Sequence, residues 1–455
     1  MNSRALTAEL ATALADIPLY DVHTHLTSDQ LPARGLHDVL LYHMVVSDLY
    51  AAGCPDGRRL TQYPGEPTGA EAEQRIEQAI PYIWDARNTS NAWMVRTILR
   101  DLYNWREPVT PDNWRRLDHL IKERSADNGW ADSVFDRTRV ARTNAEYTRR
   151  GAGSGDGRLA YSLEWGFVTR AQWGEFDTPL YEMERCWSMP EAGGPMEIGG
   201  GERPPMPRTI SSAADAAAAA EHFVTVIPSF LIAMVTHLST DMDYLLPTAD
   251  EFEDALSRRG NAGRAERSIY ASYLNELLLD ELERRRPDIV FQFSFGAEPL
   301  PFETGARLRQ ETLAQLAEML ARHPGLRFQV TNATRHANQG LCSIARELPN
   351  LSLAGYWWHA FYPDSIRQIM AERLDMLPTT SQCAFFSDAY CVEWQYAKAL
   401  LVRQQLATVL AERVQRAQYS VDDALSIARS VLFESAERTL GLRPHDGWTD
   451  PQASA

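Results

Sequence analysis

The stretch IPLYDVHTHLTSDQ (17–30) sets His23 and His25 two residues apart. Ile17, Leu19, Asp21, His23 and His25 alternate with Tyr20, Val22, Thr24 and Leu26, which is the period of a strand. Side chains i and i+2 of a strand share a face, about 7 Å apart along it, so two imidazoles there can converge on one ion. With 11 histidines in 455 residues, such a pair arises by chance in roughly one chain in four. It therefore needs a further ligand and a fold that assembles them; otherwise it is a polar strand end facing solvent. Asp388, in QCAFFSDAY (382–390), is the candidate third ligand. Two neutral imidazoles and a carboxylate suit one divalent ion, Zn first, with Mn, Fe or Co also accommodated. Such an ion with open positions makes hydroxide near neutral pH, or polarises a carbonyl and its neighbouring hydroxyl. Asp388 at its edge can accept a proton from water or substrate.

The elements that must position these residues are clearest in the second half. DIVFQFSFG (288–296), LRFQVTN (326–332), LSLAGYWW (351–358) and QCAFFSDAY read as strands, each followed by a helical stretch. Successive strand–helix units imply an α/β protein with a parallel sheet, open and Rossmann-like or closed as a (β/α)8 barrel. No G-x-G-x-x-G opens a helix after a strand, and the glycines of RGAGSGDGR (150–158) sit in a loop. Barrel chemistry gathers at the C-terminal strand ends, where His23, His25 and Asp388 all fall. The expected architecture is thus a distorted (β/α)8 TIM-like barrel, one domain over residues 1–455. Residues 30–150 are mostly helical in character and read as an insertion after the first strand. PEAGGPMEIGGGERPPMPR (190–208) has loop composition, a lid or an exposed insertion.

A formal net charge of -16 argues against nucleic acid and anionic membrane as partners. Five cysteines without CxxC spacing read as reduced thiols. The N-terminus lacks a signal-peptide core, and the longest apolar stretch (223–238) is too short to span a bilayer and contains Pro228 and His237. A cytoplasmic protein acting on a small molecule is expected, with a homo-oligomer compatible with the sequence.

At this point the chain resembles the amidohydrolase superfamily, in its uronate isomerase branch. YDVHTHL is similar to that branch's first-strand motif, and LLYHMVVSDLYAAG (40–53) to its D-H-Y-K-W-R-x-M-R-x-N-G segment. IPYIWDARNTSNAWMVRTIL (80–99) is similar to R-N-P-x-Y-H-W-T-H. VFQFSFGA resembles its fifth strand, GYWW its G-S-A-W-W, and FFSDAY its T-D-S-R. Order and spacing hold over about 370 residues. The resemblance implies a distorted (β/α)8 barrel and a metal site.

Departures from the branch pattern fall on the substrate side. Where its arginines hold a substrate carboxylate, this chain has Ser47, Tyr50 and Tyr390, and its fifth-strand histidine is Ser294. Loss of three arginines removes the bidentate carboxylate grip that guanidinium gives best. His43 keeps the branch position and is a catalytic candidate beside Asp388. His237 falls near the fourth-strand S-D-H-G, as a ligand, a base, or a hydrogen-bonded core histidine. Arg335 and His336 follow a strand and so stand at the catalytic face, as substrate contacts or an ordinary loop pair. Tyr356, Trp357 and Trp358 end the seventh strand; they pack the barrel top, with Trp358 the candidate to line a substrate.

The expectation is a metal-dependent hydrolase or isomerase whose small polar substrate is not a common hexuronate. Alternatives are a true uronate isomerase interconverting aldose and ketose forms, with Arg335 or Arg170 as substitute anion contacts, and iron-dependent oxygen chemistry on the same ligands. A third is a degenerate barrel that serves only as a binding or scaffold protein.

Overall fold

The computed structural model describes residues 3–55, 60–66, 68–147, 157–166, 178–188, 208–237, 242–296 and 308–441. The stretch 190–208, apart from Arg208, lies outside them, as do Arg170 and residues 150–156. Eight strands follow in chain order: β1 Leu19–Asp21, β2 Val140–Glu146, β3 Leu159–Glu164, β4 Leu231–His237, β5 Val290–Phe295, β6 Arg327–Asn332, β7 Leu351–Ala354 and β8 Gln382–Cys383. Their order in the sheet is also their order in the chain, and every described pair of neighbours is parallel. With helices between strands, this is the topology of a distorted (β/α)8 TIM-like barrel.

The strands are shorter than their sequence patterns. β1 stops at Asp21 and β8 at Cys383, so His23, His25 and Asp388 lie just beyond the paired residues. Helices Leu36–Leu40, His43–Ala51, Ala70–Ile83, Ser90–Tyr103, Trp114–Ser125 and Trp130–Thr138 fill most of the stretch expected to be helical. It is not wholly helical, because β2 lies inside it. VARTNAE carries Arg142 and Asn144 at alternate positions, which hid an apolar period; both are buried in the fold.

The chain divides into two compact units. The first comprises residues 1–145, 361–371 and 384–434. Its central post is the 24-residue helix Val392–Gln415, packed against the helices Ser3–Ala15, Ser90–Tyr103 and Trp130–Thr138. A helix buried on nearly all sides must pair the charges it carries. Glu393 accepts from Tyr103 Oη (2.7 Å), Trp130 Nε1 (2.8 Å) and the Ala33 N–H (2.9 Å). Gln395 donates to Asp21 Oδ2 (2.8 Å), and Arg403 to the carbonyls of Thr138 and Ile17. The helix thereby ties both ends of β1 to its surroundings.

The second unit comprises residues 146–360, 372–383 and 435–455. Phe291, Phe293 and Phe328 pack ring to ring on one face of β5 and β6. On the other face Gln292 donates to Gln329 (2.8 Å), and Gln329 donates on to Ser352 (3.4 Å), a polar row across β5, β6 and β7. Both faces of β5 are buried, as in parallel sheets covered by helices. No helix among the described residues is long and apolar enough to cross a membrane, and the five cysteines are buried and form no disulfide.

Candidate metal centre

The site is built where the segment after β1 meets the segment after β8. The Val22 N–H donates to the Phe385 carbonyl (3.4 Å), the Asp388 N–H to His23 (3.1 Å), and the His25 N–H to Ala389 (2.9 Å). On its other side the Thr24 N–H donates to Asn144 at the end of β2 (3.0 Å). Residues 22–25 therefore continue the strand's direction between two neighbours, and the i, i+2 relation of His23 and His25 survives beyond the ladder.

The two imidazoles stand edge to face, with centroids 5.1 Å apart, and His23 is stacked on Phe386 at 4.7 Å. Asp388 Oδ1 lies 3.2 Å from His25 Nε2 and 3.8 Å from His23 Nε2. One donor atom from each of His23, His25 and Asp388 falls within 4.8 Å of the other two. The second carboxylate oxygen, Oδ2, faces His43 Nε2 at 3.6 Å. Burial alone would push the Asp388 carboxyl up. The hydrogen bond from His25 and the charges of His25, His43 and Lys398 outweigh it and hold Asp388 well below the usual carboxylate range. Two imidazole nitrogens and an ionised carboxylate, already converged, with His23 and Asp388 buried and His25 partly so, form a donor set that fits a divalent cation.

Asp388 has φ 55°, a left-handed backbone conformation. The turn is held by its neighbours. The Ser387 N–H donates to Asp21 Oδ1 (2.9 Å), and the Ala389 N–H to Ser387 Oγ (3.2 Å). Asp21, fully buried beneath the site, is raised to about 6 by burial, which bonds from Ser387 and Gln395 only partly offset.

Tyr390 forms the wall next to this centre. Its ring meets His25 (5.3 Å), His43 (5.3 Å), Tyr42 (4.8 Å) and Tyr63 (5.9 Å). Tyr50 lies on the same helix as His43, seven residues on, and is 41% exposed. Ser47 Oγ donates back to the His43 carbonyl (3.1 Å).

No protein-family model matches the chain, and no curated protein matches it in sequence. Solved structures do match. Glucuronate isomerase from Caulobacter crescentus aligns with a TM-score of 0.78 and 14% identity, over 99% of this chain and 96% of that one. Uronate isomerase from Thermotoga maritima gives 0.73 and 12%, over 96% and 97%. A uronate isomerase from Bacillus halodurans gives 0.69 and 16%, over 98% of both chains. The fold is that of the uronate isomerases. At such identities the likeness is one of backbone, and the chemistry has to be argued from this chain's own side chains.

Of the residues singled out in the sequence, the first unit brings together His23, His25, His43, Asp388 and Tyr390. Ser47 and Tyr50 also lie in the first unit, on the His43 helix, while His237, Ser294, Arg335, His336 and Trp358 belong to the second. His237 ends β4, in register with Ser294 and, through it, Thr331, while its side chain lies outside the description. Arg335 and His336 are exposed in a short 3-10 turn after β6, and Trp358 is half-buried in another after β7. Sequence reasoning missed Tyr42, Tyr63, Phe386 and Lys398. Lys398 had one legible signal, a lone cation among the small and apolar residues of WQYAKALLV.

Proposed function

We propose that this protein is a metal-dependent enzyme with the uronate isomerase fold, acting on a small polar substrate that is not a common hexuronate. One divalent ion, Zn first, would be held by His23, His25 and Asp388. The observation that carries the reading is the convergence of those three donors, His23 and Asp388 buried and His25 partly so, with His43 on the carboxylate's remaining oxygen. A divalent ion bound there supplies Lewis acidity and a hydroxide or alkoxide near neutral pH.

The chain's own groups do the rest. Asp388 takes a proton at Oδ2, and His43 Nε2, 3.6 Å away, relays it. Hydrolysis, isomerisation and elimination all fit such a relay. Tyr390 beside the imidazoles, with exposed Tyr63 next to it, offers aromatic surface that would stack on C–H-rich faces of a neutral molecule and gives no bidentate grip to a carboxylate. This supports the reading over a true uronate isomerase.

Elemental analysis of protein purified without added metal, alongside His23→Ala, tests the centre. One bound equivalent that is lost in the variant is expected; no metal, or metal kept in full by the variant, overturns the assignment. Turnover of glucuronate and galacturonate, compared with neutral aldoses and lactones, tests the substrate class. Robust ketose formation from a uronate would return the protein to the family's usual reaction.

A further inference from the structure

Lys398 is 1% exposed and lies on the helix behind the candidate centre. Its ammonium donates to Tyr42 Oη (2.6 Å) and to the Ser387 carbonyl, and sits 4.7 Å from the ring centroids of both Tyr42 and Phe361. Tyr42 Oη in turn donates to the Asp388 carbonyl (2.8 Å). The Tyr42 ring is fully buried, stacked on Trp394 (4.4 Å) and tilted against His43 (4.2 Å).

Each peptide group around the left-handed Asp388 thus has a partner. The N–H groups of residues 387, 388 and 389 go to Asp21, His23 and the Ser387 hydroxyl. The carbonyls of residues 387, 388 and 389 go to Lys398, Tyr42 and the His25 N–H. A non-glycine residue at φ 55° persists where its surroundings over-determine it. A buried ammonium is costly, and an apolar side chain would fill the same space without that cost.

We propose that Lys398 and Tyr42 act as one positioning unit that aims the Asp388 carboxylate at the point where His23 and His25 converge. Neither is a ligand: the lysine works through the tyrosine hydroxyl and the backbone carbonyls. The role rests on the metal reading above, and it goes beyond that reading by assigning metal affinity and geometry to two residues that do not touch the ion.

The test titrates Co²⁺ alone into the full-length chain, reading affinity by calorimetry and geometry from the visible absorption of the bound ion. Lys398→Met and Tyr42→Phe are each expected to weaken Co²⁺ binding by about tenfold or more and to alter the spectrum. The double variant should bind no worse than the weaker single. Tyr42→Phe removes one oxygen atom, so it carries the test if Lys398→Met does not fold. Wild-type affinity and spectrum in the folded variants overturn this role and leave the metal reading standing. No Co²⁺ uptake by the wild type, or uptake surviving in His23→Ala, overturns the metal reading and this role with it.

Discussion

His43 Nε2 lies 3.6 Å from Asp388 Oδ2, on the carboxylate oxygen that faces away from His23 and His25. The two oxygens of one carboxylate are thus divided, with Oδ1 turned to His23 and His25 and Oδ2 to a third imidazole. Under the proposed function they would have separate tasks. That division predicts which substitutions remove metal and which remove only proton transfer.

Replacing His43 with Gln should leave metal content at the wild-type level and lower kcat by about 10²-fold or more, with KM little changed. Elemental analysis and steady-state kinetics on one preparation check both halves. Metal loss in this variant would make His43 a ligand instead of a relay.

The left-handed backbone at Asp388 separates its two contributions. Asp388→Asn keeps a residue that tolerates φ 55° and removes the charge, so binding of metal should fall steeply while the fold persists. Asp388→Val adds a β-branched residue in the same conformation and should be less stable than the Asn variant by a further ~1–2 kcal/mol. Thermal melts of the two metal-free variants give the comparison; equal melting temperatures count against backbone strain.

Tyr390 meets His25, His43, Tyr42 and Tyr63 where the uronate isomerase pattern has an arginine. Tyr390→Arg should raise turnover of glucuronate or galacturonate about tenfold above whatever the wild type shows, by restoring a guanidinium partner for the carboxylate. Ketose formation is the readout. A folded, metal-loaded variant with no gain would place the substrate selection elsewhere.

In the second unit, buried His323 is clasped between Glu276 (3.3 Å) and Glu283 (3.3 Å). Burial would raise Glu276; bonds from His323, Tyr244 and Arg322 overcome it and lower Glu276 from 4.5 to about 2. Burial lowers His323, but Glu276 and Glu283 outweigh it and raise the imidazole above 6.5. The Glu276 contribution is complete above pH 4.5 and is lost as pH falls toward 2. The His323 contribution is complete below pH 6.5 and is lost as pH rises through the raised value. Melting temperature should therefore peak between these limits. Glu276→Gln should flatten the acid limb and cost of order 2 kcal/mol near pH 6; an unchanged acid limb would refute the linkage.

Much of this protein was determined by local pattern. The period-2 runs at 288–296 and 326–332 became β5 and β6; strand–helix alternation implied a parallel sheet, and the fall of His23, His25 and Asp388 at strand ends favoured the barrel over an open sheet. His23 and His25 were legible as a convergent pair because an i, i+2 relation is a property of extended backbone alone. Tertiary structure decided the rest, because the remaining relations join residues far apart in the chain. β2 pairs with β1 while burying Arg142 and Asn144, and Asn144 Nδ2 donates to the Val22 carbonyl (3.1 Å), a partner that no neighbour in sequence supplies. Asp388 meets His25 and His43 across more than 300 residues, and its left-handed turn exists because Asp21, Tyr42 and Lys398 satisfy the backbone on either side of it. A lysine in the middle of a helix reads as a solvated charge; only packing on every face turned Lys398 into a buried brace.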